Sequence, residues 1–138
     1  MSDRLLPSAV GLNGEFYGFL ARGELRLQRC TACATWRHPP RHRCAHCGSI
    51  DVAWEPASGR GRVFSWTVTH RAVDPAFVPP YAILIVELDE GPRLVGSLRG
   101  IEPSELSLDL PVVVEIEHAS DTVGLLWFRP ALPPARSS

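Results

Sequence analysis

Hydrophobic residues in the second half of the chain occur in short runs that glycines and prolines separate. From residue 59 onward, five segments are rich in valine, isoleucine, threonine and aromatic residues, which favour β-strands. They are residues 62–71, 81–88, 93–98, 112–118 and 124–129. The turn signal Glu90-Gly91-Pro92 lies in the second gap. Five strands in about seventy residues predict a small barrel of the OB type, with an SH3-like barrel as the nearest alternative.

The pattern near the N-terminus predicts a short helix. Phe16, Phe19 and Leu20 would share one face of this helix, which Asn13 could cap and Gly23 could end. Apolar and polar residues alternate at 25–28, and residues 52–55 resemble a second short strand. We expect the intervening residues 36–43 to form a loop rich in proline and arginine.

Four cysteines form two closely spaced pairs, Cys30-Thr-Ala-Cys33 and Cys44-Ala-His-Cys47. A gap of two residues lets both thiolates of a pair reach the same tetrahedral ion, and the spacer lets the second pair complete the shell. The spacing therefore predicts one zinc ion bound by all four cysteines. Because four thiolates leave no position for water, we expect a structural site rather than a catalytic one.

Disulfides and iron are the alternatives for these cysteines. The N-terminus lacks the apolar core of a signal peptide, which indicates the cytoplasm, where thiols stay reduced. Iron in a rubredoxin-like site uses similar ligands, and spacing does not distinguish it from zinc. His38, His42 and His46 lie near the pairs, and we expect them at the surface.

Charge is divided unevenly along the chain. Residues 26–71 contain eight arginines and two carboxylates, whereas residues 72–138 contain four arginines and ten carboxylates. A basic segment indicates an anionic partner such as a phosphate-bearing cofactor, although a solvated charged face is an equally good explanation. The chain has no lysine, which excludes Schiff-base catalysis by lysine. No apolar stretch approaches the roughly 20 residues of a membrane span.

Together these patterns predict a mainly β chain in four parts. They are an N-terminal helical segment at 1–24, a rubredoxin-like zinc ribbon at 25–56, a five-stranded OB-fold barrel at 57–130 and a flexible tail at 131–138.

Several short motifs occur in a fixed order between residues 15 and 130. They are Phe16-Tyr17, Arg22-Gly23-Glu24-Leu25, the two cysteine pairs, Pro39-Pro40-Arg41, Gly59-x-Gly61-x-Val63, Thr67-x-x-His70-Arg71 and Pro80-Tyr81. In this combination the chain resembles the zinc-ribbon/OB-fold acyl-CoA-associated proteins. Ala34 departs from the pattern, because many relatives carry glycine after the second cysteine.

The resemblance implies a non-catalytic accessory subunit that binds and stabilises a thiolase-like acyl-CoA enzyme. Similar proteins are partners of the lipid-transfer-protein aldolases that shorten steroid side chains, or are attached to MaoC-like enoyl-CoA hydratases. The catalytic residues would then belong to the partner. We accordingly assign no catalytic role to His70 or to the strand carboxylates Glu115 and Glu117, which we expect to face solvent or a partner.

An acyl-CoA ligand would need cations for its phosphates and flat apolar side chains for its adenine. The candidates that combine these properties are Arg37, Arg41, Arg43, Trp66, Arg71 and Tyr81. Arginine suits this role because its planar group binds phosphate and also stacks on aromatic rings. Phe64 is two residues from Trp66 and would share its strand face, so at least one of the two is expected in the core.

Two other functions remain open at this stage. Zinc ribbons and OB folds also bind single-stranded nucleic acid, but the acidic barrel segment and the near-zero net charge weigh against this function. A purely structural subunit that never contacts acyl-CoA is the second. Residues 125–128 are apolar on both strand faces, so either the N-terminal helix or a partner subunit should cover one face.

Overall fold

The computed structural model describes residues 11–70 and 80–131, which form one helix and eight strands. The helix is α1 (Gly11–Ala21). The strands are β1 (Arg26–Cys30), β2 (Trp36–Arg37), β3 (Val52–Pro56), β4 (Arg60–Thr69), β5 (Tyr81–Leu88), β6 (Arg93–Leu98), β7 (Pro111–His118) and β8 (Gly124–Pro130). A short 3-10 helix, Pro103–Glu105, lies between β6 and β7.

The first three strands form a small antiparallel sheet with β1 at its centre. Strand β3 pairs with β1 along its whole length, from Arg26 opposite Pro56 to Cys30 opposite Val52. On the other side, β2 adds two residues to the sheet, with Trp36 opposite Arg29. We expected these two residues in a loop, and their pairing places them in the ribbon instead.

Strands β4 to β8 close into a barrel with the order β4-β5-β6-β8-β7. Neighbouring strands are antiparallel except β6 and β8, which are parallel. The last strand therefore lies between the third and fourth barrel strands, a Greek-key arrangement that confirms the predicted OB barrel. The strand bounds differ from the predicted ones by at most two residues at every described end.

The helix, the ribbon and the barrel share one hydrophobic core. Phe16 and Leu20 of α1 and Leu27 of β1 pack in the same cluster as Leu84 of β5 and Phe128 of β8. Each of these side chains is almost completely removed from water, and burying one contributes about 1.5–3 kcal/mol. The ribbon is therefore fixed to the barrel by packing as well as by covalent linkage.

Two local predictions were wrong. Helix α1 begins at Gly11, so Asn13 lies within its first turns and does not cap it. A β-bulge lies between Val63 and Ser65, where the register with β5 shifts. The extra residue reverses the alternation, so Phe64 and Trp66 do not share a strand face as predicted. Phe64 points to solvent and Trp66 packs against the core, which confirms that at least one of the two rings belongs to it.

The predicted domain boundaries stay predictions, and the segments 1–10 and 132–138 lie outside the described residues. Within the described ranges, the chain has no helix whose length and hydropathy would suit a membrane span.

Close contact between α1 and β8 yields the first prediction. A Cβ at Gly124 would lie 2.3 Å from the backbone carbon of Leu20, whereas a Cβ at Gly18 would meet nothing within 4 Å. We expect Gly124→Ala to lower the free energy of unfolding by about 2–3 kcal/mol, because the helix must move away. Gly18→Ala should raise it by about 0.5–1 kcal/mol, because alanine favours a helix. Urea unfolding of the zinc-loaded protein measures both, and equal effects would contradict the docking of α1 on β8.

Candidate metal centre and the neighbouring cleft

The first cysteine pair is built by a tight turn at the end of β1. The Ala34 amide donates to the Cys30 carbonyl oxygen at 2.8 Å, and the Cys30 amide donates to the Thr35 carbonyl oxygen at 2.9 Å. Ala34 adopts a left-handed conformation, with φ of 65°. The turn points both cysteine side chains of the pair to one side.

The second pair repeats this geometry in an exposed turn. The Gly48 amide donates to the Cys44 carbonyl oxygen at 2.8 Å, and the Cys44 amide donates to the Ser49 carbonyl oxygen at 2.9 Å. Gly48 has φ of 78°, in the same region as Ala34. The residue after each second cysteine must therefore adopt a positive φ, which glycine does without strain.

The four sulfur atoms fit a tetrahedral zinc ion. They all lie within 4.8 Å of one another, with Cys30 Sγ 3.5 Å from Cys47 Sγ and Cys33 Sγ 3.6 Å from Cys44 Sγ. A Zn–S bond of about 2.3 Å implies about 3.8 Å between ligand sulfurs. The Cys47 amide donates to the Cys44 sulfur and lowers the pKa of Cys44 to about 6, which favours the thiolate that a metal needs. The donor set therefore fits a structural zinc site with no position left for water.

A buried glutamine holds the loop between the pairs. Gln28 on β1 is buried, and its Oε1 accepts hydrogen bonds from Arg37 Nε and the Arg41 amide, both at 2.8 Å. Arg37 also donates from Nη2 to the Arg41 carbonyl oxygen at 2.9 Å. The Arg37 side chain is thereby engaged in ordering the ribbon.

The three histidines near the cysteines have different environments. His42 and His46 are exposed, as expected. The expectation for His38 was wrong, because its ring is half-buried with its centroid 4.6 Å from that of Phe16. Desolvation lowers the pKa of His38 to about 4, so the ring is neutral at pH 7.

The residues predicted to contact CoA lie in different parts of the structure. Arg41 and Arg43 are exposed on the ribbon, whereas Trp66 packs against the barrel core and Tyr81 is half-buried at the start of β5. The two grooves lined by Arg41 contain neither Trp66 nor Tyr81. Arg71 lies outside the described residues. The geometry therefore groups Arg41 with Arg43 and separates them from the two aromatic residues.

A cleft of about 360 Å³ opens where the helix, the ribbon loop and the barrel meet. Its walls come from α1, from the loop after β2, and from β6 and β8. These walls are mostly apolar and include Tyr17, His38, Val95, Leu125 and Trp127. Burial raises the pKa of Tyr17, which therefore keeps its phenol proton at neutral pH.

An ion-pair network covers the barrel face beside this cleft. Arg99 donates to Glu115 Oε1 at 2.7 Å and to Glu117 Oε1 at 3.1 Å, and Arg129 Nε lies 3.0 Å from Glu115 Oε2. Trp127 Nε1 donates to Glu117 Oε1 at 2.6 Å, and the Arg99 guanidinium lies 3.9 Å from the centre of the Trp127 ring. Both carboxylates are therefore paired within the chain, and the network fixes the orientation of Trp127.

Comparison with known proteins agrees with this geometry. The rubredoxin-like zinc ribbon domain of ChsH2 matches residues 19–52, and the C-terminal OB-fold domain of ChsH2 matches residues 54–117. A solved chain titled Ltp2-ChsH2(DUF35) aldolase is 41% identical and superposes with a TM-score of 0.84, over 91% of this chain and 99% of that one. The chain belongs to the DUF35 family.

Other relatives of this chain have several names. A probable enoyl-CoA hydratase alpha subunit of Thermomonospora curvata is 46% identical over 82% of this chain and 35% of its own length. The 3-oxo-4,17-pregnadiene-20-carboxyl-CoA hydratase alpha subunit of Mycobacterium tuberculosis is 37% identical over 77% of this chain and 34% of its own length. This DUF35 chain thus spans about a third of those two relatives. A DUF35 domain-containing scaffold protein of Pyrococcus furiosus is 30% identical over 65% of this chain and 68% of its own length.

The resemblance expected from the motifs is confirmed, but the sequence did not reveal the cleft of this DUF35 chain. A usable signal existed, because residues 125–128 of β8 are apolar on both strand faces, and Leu125, Leu126 and Trp127 line the cleft. A strand with one face in water should alternate, and a continuous apolar run indicates that both faces are covered. Leu94 and Val95 of β6 give the same signal, because they are neighbouring apolar residues on opposite strand faces and only Leu94 is buried in the core.

The left-handed turns give the second prediction. We expect Ala34→Gly to raise the free energy of unfolding of this DUF35 chain by up to about 1 kcal/mol, because glycine removes the Cβ strain. The reciprocal change, Gly48→Ala, should lower it by about 1 kcal/mol. Urea unfolding at a fixed zinc concentration measures both, since bound metal contributes to the apparent stability. Changes of the same sign in the free energy of unfolding for the two variants would contradict the shared geometry of the two cysteine turns.

Proposed function

We propose that this chain is a non-catalytic accessory subunit that binds and stabilises a thiolase-like acyl-CoA enzyme of the Ltp2 type. The observation that supports it most is the superposition on the Ltp2-ChsH2(DUF35) aldolase chain, at 41% identity over 99% of that chain. At this identity over nearly the whole of that chain, a shared partner class is the simplest inference.

The arrangement of titratable groups agrees with a role outside catalysis. Within residues 11–70 and 80–131, the cluster of His, Cys, Asp and Glu suited to a metal is the four-cysteine site, whose shell has no room for substrate. His70 is exposed at the end of the described segment. Glu115 and Glu117 both accept hydrogen bonds from Arg99, so these carboxylates are engaged within the chain.

The relatives' names suggest the substrate class of the partner. One relative is named for a pregnadiene carboxyl-CoA, and another for an enoyl-CoA hydratase subunit. We therefore propose a partner that processes a CoA thioester, with a steroid side-chain aldolase as the first candidate and a MaoC-like hydratase as the second.

Co-purification tests this function and is the third prediction. The tagged, zinc-loaded chain should form a stable complex with the Ltp2 subunit of the solved aldolase, or recover a thiolase-like subunit from its own host. Size-exclusion chromatography with mass spectrometry identifies the partner and any retained nucleotide. Recovery of a hydratase alone would select the second candidate, and recovery of RNA or DNA in place of an enzyme would overturn the proposal in favour of a nucleic-acid module.

Direct contact with CoA is a further part of this proposal. Arg41 and Arg43 are exposed and line one groove beside the start of α1, whereas Arg37 is engaged with Gln28. Arg43 donates from Nη1 to the Gly48 carbonyl oxygen at 3.0 Å, so Arg41 is the better candidate for a phosphate contact. Of the other predicted contacts, Trp66 and Tyr81 would have to act from a different part of the barrel, and Arg71 lies outside the described residues.

The fourth prediction concerns these arginines. Arg41→Glu should weaken binding of CoA to the assembled complex about tenfold or more, because it replaces an attractive charge with a repulsive one. Calorimetry with free CoA measures the change, and Arg22→Glu serves as the exposed control. An unchanged affinity in the Arg41 variant would remove CoA contact from the proposal and leave the accessory role intact.

A further inference from the structure

The outer surface of β4 to β6 exposes apolar side chains that the barrel does not need for its own packing. Val95, Phe64 and Ile83 are 60%, 46% and 39% exposed. Ile85 lies between Ser65 of β4 and Val95 of β6 in the paired strands, so these side chains form one patch. We call Phe64, Ile83, Ile85 and Val95 the outer apolar patch.

The outer apolar patch continues into the cleft. Val95 belongs to both, because it also lines the cleft beside Leu125, Trp127 and Tyr17. The combined surface therefore has a flat part on the barrel and a recess of about 360 Å³ beside it. Such a shape suits a protein surface that lays apolar residues on the strands and inserts one large side chain into the recess.

The inner side chains of the same strands already form the core. Leu84, Val86 and Leu94 are fully buried between the exposed positions. The strands also have paired neighbours on both sides, because the barrel is closed. Packing among residues 11–70 and 80–131 therefore does not account for the outer apolar patch, and contiguous exposed apolar surface in a globular protein usually marks an interaction site.

The edge of the patch carries a positive charge. Arg62 and Arg93 lie 3.8 and 3.5 Å from the same carboxylate, Glu87, so one of the two positive charges is not neutralised. The Arg93 guanidinium also lies 3.7 Å from the centre of the Phe64 ring. A complementary surface would present carboxylates beside its apolar residues.

We infer that the outer apolar patch and the cleft form the docking surface for the thiolase-like partner subunit. This inference rests on the proposed function, which supplies a partner but does not locate its contact. The partner's matching surface is apolar, carries at least one carboxylate opposite Arg62 and Arg93, and inserts a large apolar side chain beside Trp127. A second copy of this chain fits less well, because a symmetric contact would bring the same positive edges together.

Val95→Asp tests this surface and is the fifth prediction. The substitution places a charge at the centre of the contact, where desolvation opposes binding. We expect at least about tenfold weaker binding of the zinc-loaded chain to the partner subunit identified by co-purification. The matched control is Ile50→Asp, an equally exposed apolar residue of the ribbon at 64% exposure, which should bind as the unmodified chain does. Surface plasmon resonance measures both.

A second set of variants keeps the test decisive if Val95→Asp folds poorly. Ile83→Thr combined with Val95→Thr keeps β-branched residues on the strands and should still weaken binding several-fold. Arg93→Glu should weaken it as well and reduce its dependence on salt. Zinc content and circular dichroism establish that each variant is folded.

The outcomes separate this inference from the proposed function. If the unmodified chain does not bind, the proposed function fails. If it binds and the folded patch variants bind within about twofold of it, the docking surface is elsewhere and the inference is overturned. Conversion of a dimer to a monomer by Val95→Asp would assign the patch to a second copy. A large loss of stability in the isolated Ile83→Thr/Val95→Thr variant would assign it to the chain's own packing, and either result would also overturn the inference.

Discussion

The closure of four thiolates around one ion is the constraint on which the ribbon depends. The ribbon sheet contains only twelve strand residues, which is too few to fold by hydrophobic burial alone. Strand β1 transmits this constraint to the rest of the chain, because it carries Cys30 at its end and the fully buried Leu27 within the shared core. Metal binding and core packing therefore support each other through one strand.

The same strand also explains why the loop between the cysteine pairs has a defined conformation. Gln28 lies on the strand face of β1 opposite Leu27, the same face as Cys30, and it is buried with its amide oxygen bound to Arg37 and the Arg41 backbone. A buried amide is stable only when its hydrogen bonds are satisfied, so this contact fixes the loop against the sheet. The loop in turn brings His38 against Phe16 and forms one wall of the cleft. The contact between Gln28 and this loop thus helps to shape the cleft.

A local irregularity in β4 decides which way the side chains of Phe64 and Trp66 point. Strict alternation would place both rings on one face, but the bulge between Val63 and Ser65 reverses the phase. Trp66 consequently packs, partly buried, against the core. Phe64 instead joins the exposed patch and stacks with Arg93. A single extra residue therefore decides which aromatic side chain is available to a partner.

The sequence alone determined the ligand set of the metal site, the strands of the barrel and the family resemblance, because these depend on local spacing and alternation. Cys30, Cys33, Cys44 and Cys47 follow from two fixed gaps, and β5 and β6 follow from composition between turn signals. Tertiary structure decided the rest. The pairing of β6 with β8, the burial of His38, the separation of Arg41 from Trp66 and the cleft around Val95 each depend on residues far apart in the chain. Local patterns do not specify such contacts, since they arise only when the strands close and the helix packs against them.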